Sequence, residues 1–144
     1  MRAKVIPVRR SRVTRSYLRF MSETITEVES QVITEVAHES HVYVHVTYPP
    51  GQGEMLLRIW RTTFLFDKGS SHESRLVHAD NISYAPTWTI VPAGRAHTFL
   101  LIFEGLPKEC TVFDLVEKID QPGAFEIRSI RRNKSDVYRV TLDP

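Results

Sequence analysis

His41-Val42-Tyr43-Val44-His45-Val46-Thr47-Tyr48, closed by Pro49-Pro50-Gly51-Gln52-Gly53, is the stretch that decides the fold class. Val42, Val44, Val46 and Tyr48 alternate with His41, Tyr43, His45 and Thr47, so one set shares one side of an extended chain and the other set faces away. On this reading the valines face a core, while His41, Tyr43 and His45 share the outer face. Pro lacks a backbone donor and Gly tolerates unusual φ, so the Pro-Gly cluster ends the strand in a turn.

The same grammar repeats outward from there. Met55 to Phe66 is a long β-rich run that ends at Asp67-Lys68-Gly69-Ser70-Ser71. Strands are expected over Arg75–Ile82, Trp88–Val91, His97–Phe103, Cys110–Ile119, Phe125–Ile130 and Val137–Leu142, separated by Pro92-Ala93-Gly94, Gly105-Leu106-Pro107, Gln121-Pro122-Gly123 and Asn133-Lys134-Ser135-Asp136. Upstream, Ile25, Val28, Val32 and Val36 have helical spacing, but the segment is crowded with Ile, Val and Thr, which are stiff at χ1 and favour strands. It is read as a strand. Helical stretches between the strands, as a parallel α/β fold needs, are not found. The expectation is an all-β chain, an antiparallel immunoglobulin-like β-sandwich of about seven to nine strands.

Bulk properties agree with one domain. The chain has 144 residues, 42% of them hydrophobic and 25% charged. Such a length can bury roughly 68–70% of the surface its unfolded chain exposes. The lone Cys110 excludes an internal disulfide. The net charge of +2 hides a division. Residues 1–20 hold Arg2, Lys4, Arg9, Arg10, Arg12, Arg15 and Arg19 and no acid, which leaves 12 of the 19 cations against all 17 acids in residues 21–144. The chain therefore divides into a basic N-terminal arm, residues 1–20, and one domain, residues 21–144. The arm reads as an upstream extension before Met21, as an ordered strand, as a leader, or as a flexible polyanion contact through Arg9, Arg10, Arg12 and Arg15. No apolar h-region follows its charges, and no run is long enough for a membrane span. A cytoplasmic chain is expected.

Chemistry-bearing motifs are sparse. His38, His41 and His45 do not follow a metal-ligand spacing on a strand, so no metal is expected. Cys110 with His78 or His97 is the one pairing that would make a hydrolase. No nucleophile elbow surrounds a serine, and Gly51-Gln52-Gly53-Glu54 lacks the third Gly of a phosphate loop. Neither catalytic residues nor a cofactor are assigned. If Phe113 and Leu115 face the core, Asp114 points outward with Cys110, which is the favoured phase; with the phase reversed Asp114 is buried and must be paired or hydrogen-bonded.

The informative feature is an apolar excess. Met55, Leu57 and Ile59 occupy one face of their run, and Leu56 and Trp60 lie around Arg58 on the other. Phe64–Phe66 and Phe99–Phe103 are also apolar on both faces. Such strands need cover on both sides. Core burial is the default for Trp60 and Trp88, with the stretch from Ile82 to Pro92 as one possible cover. Otherwise Leu56, Arg58 and Trp60 form an interface, with another protein or with a second copy in a homodimer.

The words Arg58-Ile59-Trp60, Thr63-Phe64-Leu65, Leu76-Val77-His78-Ala79-Asp80-Asn81-Ile82, Phe103-Glu104-Gly105-Leu106-Pro107-Lys108 and Phe113-Asp114-Leu115-Val116-Glu117 carry a resemblance. Between Leu57 and Val140 the chain resembles small uncharacterised bacterial proteins of Bacteroidota-type genomes. That resemblance implies an immunoglobulin-like β-sandwich with no assigned activity, and it leaves the basic arm out. The functional expectation is a non-catalytic binding module. Nucleic-acid or polyanion binding through the arm is the first alternative, and a Cys/His-dependent hydrolase the second.

Overall fold

A computed structural model describes residues 3–6 and 40–143. The ambiguous segment around Ile25 to Val36, His38, and the arm cations Arg9, Arg10, Arg12 and Arg15 lie outside the described residues. The fold is all-β. Ten strands are described: β1 (Ala3–Ile6), β2 (Val42–Tyr48), β3 (Met55–Leu57), β4 (Thr63–Asp67), β5 (Glu73–Asp80), β6 (Thr89–Val91), β7 (His97–Phe103), β8 (Val112–Glu117), β9 (Glu126–Arg131) and β10 (Val137–Leu142). β1 falls within the stretch set apart as a basic arm; it runs antiparallel to β10, with Ala3 opposite Leu142 and Ile6 opposite Arg139.

Eight strands form one curled sheet in the order β1-β10-β2-β7-β5-β4-β8-β9, and β3 and β6 make a separate ribbon. The sheet is mixed, where the sequence led us to expect an antiparallel one. β10 runs parallel to β2, Val140 beside Val46, because the last strand inserts between β1 and β2. β5 turns the sheet's corner. Its first residues pair with β4 (Arg75 opposite Phe64), and its later ones with β7 (Ala79 opposite Leu101). The register slips between Leu76 and His78, which makes Val77 the bulge. Bulges bend strands and increase local twist, so β4, β8 and β9 swing round toward β10, β2 and β7.

The core fills the space so enclosed. Val44, Val46, Phe99, Leu101, Phe103, Leu65, Phe113, Leu115, Ile127 and Tyr138 belong to one buried cluster. The rings of Phe113 on β8 and Tyr138 on β10 pack in a T-shaped pair, 5.1 Å between centroids, which ties the two halves together. Gly105, just after β7, passes Ser40 so closely that a Cβ would stand 2.2 Å from the Ser40 carbonyl oxygen. Only glycine fits there.

Three sequence expectations change. Tyr43 and His45 are buried, with Leu100, Ile102 and Val137 on the same outer side, so both faces of β2 and β7 are covered. Met55–Phe66 is two strands in two different sheets, with the chain turning at Trp60–Thr62. Asp114 does leave Phe113 and Leu115 to the core, yet it is itself buried and Cys110 does not accompany it outward. The Asp114 carboxylate accepts the Ser129 N–H at 2.7 Å and an Arg128 Nη1–H at 3.0 Å. Ser129 stands at φ 56°, where β9 carries an extra residue against β8. Asp114 satisfies the N–H that this bulge releases, which is why an acid is tolerated there.

Candidate functional site

The ribbon supplies the site's walls. β3 and β6 pair antiparallel, with Met55 opposite Val91, Leu56 opposite Ile90 and Leu57 opposite Thr89. Alternation sends Leu57 and Val91 into the core and Leu56 and Ile90 outward. Leu56 is 51% exposed, Ile90 62% and Trp88 47%. Three of the four large hydrophobics exposed among the described residues therefore meet on one small face; the fourth is Val77 at the β5 bulge.

Arg58 continues that face. Its guanidinium carbon lies 3.8 Å from the centroid of Trp88 and 5.1 Å from that of Trp60. A cation over an indole face is attracted by the ring quadrupole, and the flat guanidinium also stacks. Its Nη1 donates to the Pro86 carbonyl oxygen at 3.4 Å, a long contact. Nearby, Arg61 covers Tyr84 at 3.9 Å. Trp60 and Trp88 are thus a surface pair around a cation, where core burial was the default expectation.

Beneath the stack lies a cavity of about 270 Å³, lined by Tyr48, Trp60, Trp88, Phe125 and the loop from Ile119 to Gly123. Its floor is the buried Glu117. Oε2 of Glu117 accepts the Trp60 N–H at 3.0 Å, and Oε1 accepts the Phe125 N–H at 3.3 Å. Burial pushes the Glu117 carboxyl above its ordinary range, against the pull of those two N–H groups and of Arg58. Both oxygens are engaged by the scaffold, so the accessible charge of the site is that of Arg58.

The structure thus brings Leu56, Arg58 and Trp60 to one cavity rim. Sequence reading missed Ile90 and Glu117 as parts of this site. An alternation signal existed for Ile90 in Thr89-Ile90-Val91, but its exposure depends on the pairing with β3.

The Cys110 surroundings are poor for nucleophilic chemistry. The thiol is buried in the core cluster, donates weakly to the Val112 carbonyl oxygen at 3.6 Å, and is pushed up to about 11 by burial and by the neighbouring Asp67. Asp67 itself is held low by the Ser70 hydroxyl at 2.7 Å and the Gly69 N–H at 2.9 Å. His97 hydrogen-bonds the Asn81 carbonyl through Nε2 at 2.6 Å, and His78 lies on β5. A thiolate is the competent nucleophile, and this environment disfavours it.

Among the described residues no three His, Cys, Asp or Glu side chains gather as a metal site requires, and no helix is long and apolar enough to cross a membrane. His45 turns an unpartnered Nε2 into its buried surroundings. Burial, followed by the charge of Arg139, lowers its pKa.

No family model, curated protein or solved structure gives a significant match to the chain.

Proposed function

We propose that the chain is a non-catalytic binding module, an immunoglobulin-like β-sandwich in the wider sense, that holds a protein partner on the outer face of the β3–β6 ribbon. One observation carries this reading: Leu56, Trp88 and Ile90 are exposed together, while their strand neighbours Leu57 and Val91 are buried. Contiguous apolar surface on an otherwise polar exterior marks interaction sites. A cation flattened on two indoles beside it adds the Trp and Arg that dominate binding energy at interfaces. The partner most directly supported is a second copy of the chain, because a symmetric pair covers each apolar face with the other.

Sedimentation velocity on the full chain at rising concentration tests this. The wild type is expected to associate, and the double variant Leu56→Asp with Ile90→Asp to remain a folded monomer. A wild type that stays monomeric at the highest soluble concentration contradicts self-association, and leaves the same face to be tested against other proteins.

A further inference from the structure

Resting on that reading, the geometry points to a specific way in which two copies fit: we infer that the ribbon's outer face is self-complementary about a two-fold axis through Leu56 and Ile90. Glu54 of one copy then meets Arg58 of the other.

Residues Glu54, Leu56 and Arg58 lie two apart and project from the same side of β3 and its flanks, since of the two residues between them Met55 packs against the core and Leu57 is buried. Along this face the order is acid, apolar, base. A second copy running antiparallel presents base, apolar, acid, so Leu56 meets Leu56 and each Glu54 meets an Arg58. An isologous interface demands this kind of self-complementarity.

The partner strand obeys the same axis. Leu56 stands directly opposite Ile90, so a two-fold running across the ribbon at Leu56 also passes Ile90. It places Ile90 on Ile90, and Trp88 on Pro92, which lies two residues beyond Ile90 and is exposed. Indole against a proline ring is an apolar contact with little side-chain entropy to lose.

The charges are ready for it. Arg58 is flattened by Trp88 and Trp60, so its rotamer freedom is largely lost before association, and its in-plane N–H groups stay available apart from the long Nη1 contact to the Pro86 carbonyl oxygen. Among the described residues neither Arg58 nor the exposed Glu54 takes part in an ion pair, whereas six other pairs form. Glu117 is the nearby carboxylate, and its oxygens are held by Trp60 and Phe125. The two complementary groups are therefore free to pair between copies.

Charge reversal separates this register from association in general. Glu54→Arg alone, or Arg58→Glu alone, sets like charges against each other twice per dimer and is expected to weaken association at least about tenfold. The double variant Glu54→Arg with Arg58→Glu restores opposite charges, and with them the dimer. Should the double variant stay as weak as the single ones, or should the single ones associate normally, the register is overturned. The binding reading still stands in that case, provided Leu56→Asp dissociates the wild-type assembly. A second arm does not depend on Arg58 variants folding. Leu56→Cys in a Cys110→Ser background puts the new thiol on the axis, and mild oxidation should give a covalent dimer, with Val77→Cys as the unreactive control. If the two cross-link equally or not at all, the inference fails.

Discussion

The backbone N–H of Trp60 donates to Glu117 at 3.0 Å across 57 residues of sequence. The same carboxylate takes the Phe125 N–H. One side chain on β8 thereby fixes both the turn that carries Trp60 outward and the loop that forms the opposite wall of the cavity.

Removing that clip should loosen the site. Glu117→Ala leaves two sheltered N–H groups without their acceptor, at about 1–3 kcal/mol for each one not rescued by water. Glu117→Gln keeps one carbonyl acceptor and should cost less. Urea unfolding measures the order, and tryptophan emission should shift to the red in the Ala variant as Trp60 loses its anchor.

Glu117 also sets a pH dependence of defined sign. Its folded pKa lies above the ordinary 4.5, so between these values the folded chain binds the proton more strongly than the unfolded chain. Stability contributed by this group is fully present below 4.5 and is lost as pH rises through the raised folded value. The stability of the wild type minus that of Glu117→Gln should therefore fall from acid toward neutral pH. A difference that rises over that range would show the two N–H bonds outweighing burial.

His45 behaves in the opposite sense. Its pKa is depressed from 6.5, so as pH falls below that value the unfolded chain takes up the proton first and stability drops. His45→Leu removes both this loss and the buried Nε2 that lacks a partner. It should be near neutral or stabilising at high pH and clearly stabilising at low pH. Thermal melts of the two chains on either side of 6.5 give the comparison.

Cys110 should be inert in the folded chain. With the thiol pushed up to about 11 and buried, a disulfide reagent at neutral pH should react slowly until urea unfolds the protein. Rapid labelling of the native chain would revive the thiol as a nucleophile.

Local pattern carried the strands whose neighbours are ordinary. His97–Phe103 and Val137–Leu142 begin and end where turn residues and alternation put them. Contacts between distant parts of the chain decided the rest. Nothing near Trp60 in sequence shows that Glu117 will draw its N–H inward and break the Met55–Phe66 run. Tyr43 and His45 look like outer-face residues because alternation reports sidedness, and sidedness does not reveal that both sides of β2 are covered. The Arg58–Trp88 stack needs the register of Leu56 opposite Ile90, which joins segments 34 residues apart and was not legible in either. The parallel pairing of β10 with β2 likewise brings together the last strand and a much earlier one.

The most direct test of the ribbon as a binding face uses a mixture of isotope-labelled and unlabelled chains. Filtered nuclear Overhauser spectra record only contacts between copies. Cross-peaks are expected from the Leu56 and Ile90 methyl groups to each other's copy, with Trp88 ring protons among them, and none from Val77. Cross-peaks confined to Val77 or to another surface, or none at concentrations where the chain sediments as a dimer, would contradict a binding role for the ribbon.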